Sequence, residues 1–150
     1  MIGQKWTVEV KNLDETIKVL GSWGNQAPKV AAAALYGIAE EVMTASKDIV
    51  PVDTGALKST GHVQLPKISG PIVEVTLGYG GVAKGTFKSP DGKRVIRAGD
   101  EIGYGFYVHE DPTARHPSGQ WKYLEEPLAA KMKDFDRLLA EAITELMALR

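Results

Sequence analysis

The chain contains no cysteine. Disulfides and thiolate metal sites are therefore excluded as ways of holding it together or giving it chemistry. It also lacks an excess of either charge, with 18 Lys and Arg against 19 Asp and Glu for a formal net charge of −1. A chain so balanced is not built as a whole to grip the phosphate backbone of DNA. No stretch approaches the ~18 uninterrupted apolar residues of a membrane span, so no membrane partner is expected. The first residues, Met1-Ile2-Gly3-Gln4-Lys5-Trp6, lack a signal-peptide pattern. The expectation is use in the cytosol, or release by lysis. What is present is 43% hydrophobic and 25% charged residues, an ordinary globular balance. A chain of 150 residues can bury a core without staples, and residues 1–150 read as a single domain.

Apolar spacing divides the chain into elements. Trp6, Val8 and Val10 alternate with polar neighbours and predict a short strand over 5–10. Asn12 and Asp14 are placed to cap a short helix carrying Ile17, Val19 and Leu20, which Gly21, Gly24 and Asn25 end. Pro28 suits a first helical position. Val30, Ala31, Ala34, Leu35, Ile38, Val42, Met43 and Ile49 then recur at three- and four-residue steps, the buried stripe of a long helix. Its alanines would let a neighbour approach closely. Pro51 disfavours helical geometry at Val50 and sets the stop.

Residues 60–79 read as a hairpin or two adjacent strands, carried by Val63 and Leu65 and then by Val73, Val75 and Leu77. The breaker-rich run Pro66 to Pro71 connects them. A glycine-rich stretch follows from Gly78 to Gly99, centred on the turn signal Ser89-Pro90-Asp91-Gly92. Phe87 before it and Val95 with Ile96 after it predict the arms of an extended ribbon. Tyr104-Gly105-Phe106-Tyr107-Val108 reads as an aromatic strand. A second long helix is expected from about Leu124 to Leu149, striped by Leu128, Met132, Phe135, Leu139, Ala142, Ile143 and Leu146. Pro127 fits it only if the helix has just begun there. The layout predicts an α+β domain, with two long amphipathic helices packed on a mainly antiparallel sheet and a protruding basic β-ribbon.

Four constellations bear on chemistry. Asp53-Thr54-Gly55-Ala56 matches the tetrad of retroviral-type aspartic proteases, which place two such aspartates side by side to share a proton. There the loop follows a hydrophobic strand; here it follows a long helix and a proline. The favoured reading is that Asp53 caps the next turn, its carboxylate accepting backbone N–H groups near Leu57. His109 and Glu110 with His116 could hold zinc, but their spacing fits no compact ligand motif, and a solvated loop or an intersubunit contact is expected instead. Lys84, Lys88, Lys93, Arg94 and Arg97, near Phe87, set five cations against Asp91 in the ribbon. Such a ribbon can meet phosphates, stay solvated, or grip an acidic neighbour. Tyr104, Phe106, Tyr107, Trp121 and Tyr123 form an aromatic group that serves as core or as interface anchor. No Ser-His-Asp order and no phosphate loop stands out. No catalytic set, cofactor or metal is expected.

The order of features also resembles a known family. A long helix ends in Val50-Pro51-Val52-Asp53-Thr54-Gly55-Ala56-Leu57-Lys58-Ser59; strands follow, then Tyr107-Val108-His109-Glu110. His116 and Pro117 precede Gln120-Trp121-Lys122-Tyr123-Leu124-Glu125-Glu126-Pro127-Leu128, which opens a terminal helix. Over residues 28–147 this resembles the neck and tail-completion proteins of tailed bacteriophages, also described as minor capsid proteins. It departs from them at Asp111-Pro112-Thr113, and in the length of the Gly80–Asp100 stretch. The resemblance implies a structural, non-enzymatic virion protein, assembled in the host cytoplasm and located at the head–tail junction. Its implied partners are copies of itself in a ring, portal-side connector or adaptor proteins, and tail terminator or tail tube proteins. DNA in the lumen would pass close by. Pro51, Asp53, Thr54, Gly55 and Leu57 would then be a structural turn. Lys84, Phe87, Lys88, Lys93, Arg94, Arg97, Tyr107, His109, Glu110, Trp121 and Tyr123 would be candidate interface residues. An aspartic protease using Asp53, or a small nucleic-acid-binding module, are the alternatives.

Overall fold

The computed structural model describes residues 14–113 and 118–149. The strand expected over 5–10, the cap at Asn12, and His116 lie outside the described residues. The fold is α+β, with helical pieces at both ends of the described residues and paired strands between them.

The first helical unit runs α1 (Asp14–Leu20), a 3-10 segment (Gly21–Gln26) that buries Trp23, then α2 (Ala27–Ile49). The cap of α1 comes from far along the chain. Asp136 accepts the backbone N–H groups of Glu15 and Thr16 at 3.0 and 2.9 Å, and its carbonyl accepts the Thr16 hydroxyl at 3.1 Å. Burial works to raise the Asp136 carboxyl, and the hydrogen bonds from the two amides outweigh it, so the group is held below its ordinary value. In α2 the apolar spacing is realised as burial of Ala34, Ile38, Val42 and Met43, joined by Ala32, Ala39 and Ser46. The helix stops at Val50, whose ψ of 136° is the extended geometry that a following proline demands.

The expected terminal helix is two helices, α5 (Glu125–Met132) and α6 (Phe135–Ala148), with a turn at Lys133 and Asp134. Pro127 sits in the first turn of α5, where its missing N–H costs no bond. The break has a packing cause. Leu128 packs against one cluster of buried residues, while Phe135, Leu139 and Ile143 belong to another. A straight rod would not serve both.

Between the helical ends lie two bent antiparallel ribbons rather than one continuous sheet. After the one-turn helix α3 (Ala56–Ser59), β1 (His62–Val63) pairs with β4 (Leu77–Gly78), and β2 (Lys67–Ser69) pairs with β3 (Ile72–Glu74) across the Gly70-Pro71 turn. The Gln64 amide still donates to the Thr76 carbonyl at 2.7 Å, yet Lys67 already faces Glu74. Leu65 and Pro66 therefore oppose Val75 alone. This is a bulge, and it lets proline sit in a ribbon without breaking a ladder bond. The second ribbon pairs β5 (Gly81–Val82) with β8 (Glu101–Ile102) and β6 (Phe87–Lys88) with β7 (Val95–Ile96), both in one register. Tyr104–Val108, expected as a strand, lies largely in a short helix, α4 (Gly105–Glu110). The Val108 amide donates to the Tyr104 carbonyl at 3.3 Å, a one-turn step. An apolar run this short carries no period that separates strand from helix.

Among the described residues, two core clusters result. One gathers the C-terminal half of α2 with Val50, Leu57, Tyr79, Ala83, Ile102 and Tyr123. The other joins the N-terminal half of α2 to Trp23 and α6. Among the described residues, no helix is long and apolar enough to cross a membrane.

Candidate functional site

The turn after α2 is built from short-range bonds. Gly55 stands before α3 at φ 88°, a left-handed geometry that disfavours any residue with a Cβ. The Ala56 amide donates to the Thr54 hydroxyl oxygen at 3.1 Å. Thr60 closes the segment: its hydroxyl donates to the Leu57 carbonyl at 2.7 Å and accepts the Gly80 amide at 3.0 Å. Thr54 thus takes the local bond expected of Asp53. The Asp53 carboxylate instead accepts Arg94 Nη2 at 2.8 Å, from the far arm of the second ribbon. Both side chains are open to water, at 37% and 67%, so the pair is a fastening worth about 0–1 kcal/mol rather than a source of stability.

That pairing changes the picture of the ribbon. It is seated on the core through Ala83 and Ile102 at its base and through Phe87 and Ile96 next to its tip. A Cβ at Gly55 would lie 3.8 Å from the Phe87 ring. Lys84, Lys88, Lys93 and Arg97 remain exposed. The turn at its tip is held by the Ser89 hydroxyl donating to the Asp91 carboxylate at 2.5 Å, and by the Lys93 amide donating to the same oxygen at 3.0 Å. These bonds hold Asp91 below the usual carboxylate range.

Beside the turn, Pro51, Val52, Asp53, Thr54, Gly55, Leu57, Tyr104 and Val108 line a shallow cleft of about 70 Å³. A small-molecule site needs roughly 300–1,000 Å³. Burial raises the Tyr104 phenol, with partial relief from a hydrogen bond to Thr54.

The segment before α5 is bound to α4 and to the end of α2. Gln120 donates its amide to the Ile49 carbonyl at 2.8 Å, and the Ser118 hydroxyl bridges the amide and carbonyl of Val52, each at 3.3 Å. His109 is 2% exposed, not on a solvated loop. Its Nε2 accepts the Glu125 amide at 3.2 Å at the start of α5, which places the proton of the neutral ring on Nδ1, facing Glu110 Oε1 at 2.6 Å. Its carbonyl accepts the Lys122 amide at 2.8 Å. The Tyr123 ring meets it edge-on at 4.9 Å. Tyr123 is itself 2% exposed and donates its hydroxyl to the Gly105 carbonyl at 2.8 Å.

His109, Glu110 and Glu125 bring ligand-type atoms within 4.8 Å of one another. The Lys122 ammonium stands 2.7 Å from a carboxylate oxygen of each glutamate and supplies the positive charge at that point. It also holds the Glu110 carboxyl below its ordinary value. The cluster is thus an ion-paired strut between α4 and α5.

The structure therefore sorts the candidate interface residues. Lys84, Lys88, Lys93 and Arg97 face solvent; Arg94 is exposed but paired, and Phe87 is half-buried against the core. Trp121 is 38% exposed, with the Lys122 ammonium 5.6 Å from its ring centre. His109 and Tyr123 are core residues, because α4 and the segment before α5 fold over them. The Tyr107 side chain lies outside the described residues. Sequence reasoning missed Ser46, whose hydroxyl meets that of Tyr79 at 2.8 Å inside the core. Its place on the buried stripe of α2 was the available signal. Comparison of the chain with protein-family models, curated proteins and solved structures finds no match.

Proposed function

We propose that this chain is a structural subunit of a tailed bacteriophage, a neck, head–tail joining or tail-completion protein that assembles into a ring at the head–tail interface. The reading starts from the motif order of the sequence. The observation that carries it is the use made of Asp53. In a protease this carboxyl shares a proton with a second aspartate. Here its oxygen accepts a hydrogen bond from Arg94, so the turn acts as a joint between α2 and the second ribbon. A joint suits a protein whose work is to hold neighbours in register. The ribbons offer exposed Leu65, Ile68, Ile72 and Val82 and exposed cations to copies of the chain and to connector, terminator or tube proteins above and below.

Gold-labelled antibody on virions tests the location. Label at the junction of head and tail is expected, and lysates lacking the chain should hold filled heads beside unattached tails. Virions without label, or label at the tail tip, refute the reading. Asp53→Asn separates joint from acid. An asparagine oxygen still accepts from Arg94, so assembly should persist. A loss of assembly accompanied by loss of proteolysis supports the protease instead.

A further inference from the structure

α5 begins without a capping side chain of its own. Its N-cap is Leu124, which has no acceptor to offer, and no side-chain cap bond forms there. The amides that open a helix find no partner within it and are met from outside. Here Glu126 donates to the Lys122 carbonyl at 3.0 Å, and Pro127 has no amide to place. The Glu125 amide goes to His109 Nε2 at 3.2 Å, 16 residues back along the chain. An imidazole on α4 therefore does for α5 what a serine at the N-cap does for other helices.

The substitute differs from serine in one respect. A hydroxyl oxygen accepts at any pH, whereas an imidazole accepts only while it is neutral; in the imidazolium both nitrogens donate. The ring is 2% exposed, so water does not take over the Glu125 amide while the segment stays closed.

The surroundings of the ring are divided in the same sense. On the Nδ1 side stands Glu110, with Oε1 at 2.6 Å. Lys122, 2.7 Å from Glu110 Oε2, holds that carboxyl below its ordinary value, so it keeps its charge while imidazoles titrate. Glu125 reaches the same ammonium from α5, also at 2.7 Å. The Tyr123 ring lies edge-on against the imidazole at 4.9 Å. The Nδ1 side is thus furnished to hold a positive charge. The Nε2 side faces an N–H and the positive end of α5. A charge on His109 is met by Glu110 while the cap on α5 is lost.

We propose that His109 is a proton-operated latch: neutral, it pins the start of α5 to α4, and protonated, it lets the first turn of α5 go. The lone pair that takes a proton from water is the one that holds the Glu125 amide, so ionisation and release are one event. Release is local. Tyr123 and Leu124 stay buried on one side, and the Lys122 amide stays on the His109 carbonyl at 2.8 Å. On the other side Leu128 packs against the core and Lys131 holds Glu41 at 2.6 Å. What loosens is the turn carrying Glu125 and Glu126, and with it the ion pair from Lys122 to Glu125. The latch goes beyond the neck reading and does not depend on it.

Nuclear magnetic resonance of the nitrogen-labelled full chain tests this between about pH 8 and about pH 5, the range in which imidazoles change charge. At the upper end the ring should carry its proton on Nδ1 and leave Nε2 bare. As the ring ionises, exchange of the Glu125 amide, corrected for the intrinsic effect of pH, should quicken about tenfold with the same midpoint. Amides of Leu139 and Ile143 should not respond. His109→Gln puts a carbonyl oxygen near the place of Nε2 that accepts at every pH, and should keep the Glu125 amide slow throughout. His62→Gln, on an exposed ring beside the Thr60 carbonyl, should behave as the parent. The proposal falls if Glu125 exchange ignores the ionisation of the ring, or if the ring stays neutral to the lower end. It falls equally if the neutral ring carries its proton on Nε2, or if the glutamine variant keeps the pH response of the parent. Should that variant not fold, the two curves of the parent decide alone.

Discussion

Removing the hydrogen bond between Ser46 and Tyr79 by halves should cost more than removing it whole. The two hydroxyls are 2.8 Å apart. Ser46 is 0% exposed on α2, and Tyr79 is 8% exposed at the joint between the two ribbons. Tyr79→Phe takes away the serine's partner, and Ser46→Ala takes away the phenol's. Each leaves a buried polar group wanting, at about 1–3 kcal/mol. The double variant leaves neither, and should lie within about 1 kcal/mol of the parent. A favourable coupling of about 1 kcal/mol or more follows. Urea unfolding of the four proteins measures it, and simple addition of the two single costs refutes the argument. The same phenol gives an independent check in alkali. Burial pushes Tyr79 up to about 12, against a lowering by the Ser46 bond. Below pH 10 folded and unfolded chains both keep the proton. Between 10 and 12 only the unfolded chain loses it, so stability falls by roughly 2–3 kcal/mol across that window. Burial raises Tyr123 as well, in the same direction. Tyrosinate absorbance should therefore rise together with unfolding; full ionisation at pH 10 in a folded protein contradicts the packing.

Three further substitutions probe other joints. A Cβ on Gly119 would strike the Ile49 carbonyl and stand 2.7 Å from Pro51 N, at a φ of +80°; Gly119→Ala should lose about 2 kcal/mol or more in thermal unfolding. Ile143 is 0% exposed in the α6 cluster, and Ile143→Ala should cost about 2–5 kcal/mol by urea titration. Asp136 is depressed in the folded chain. Its contribution is therefore present above the ordinary carboxyl range and is lost as pH falls through the folded value. Asp136→Asn should be less stable than the parent at neutral pH, and the two should converge in acid when followed by circular dichroism.

The sequence was most readable where burial repeats with the period of a single element. The stripe from Val30 to Ile49 and the stop before Pro51 needed nothing beyond local geometry. The Ser89-Pro90-Asp91-Gly92 turn is of the same kind, since its bonds lie within five residues. What escaped was set by partners distant in the chain. Asp136 caps a helix 120 residues away. Arg94 claims Asp53 from 41 residues downstream. The division between α5 and α6 has no glycine or proline to announce it, because two clusters of side chains pull the rod in different directions. His109 looked like a loop histidine because Pro112 and Pro117 make the segment after it irregular. Its burial comes from α4 and the start of α5 closing over it, which no local spacing encodes.

Because α2 runs through both buried clusters, the two halves of one rod answer to different neighbours. Loosening of α1 and α6 would uncover Ala34 and Ile38 while Val42, Met43 and Ser46 stayed clamped beneath Tyr79 and Leu57. Amide hydrogens near Ala34 should then exchange through a cheaper opening than those near Met43. A beam built this way can yield at one end under a mechanical load and still keep its ribbons aligned at the other.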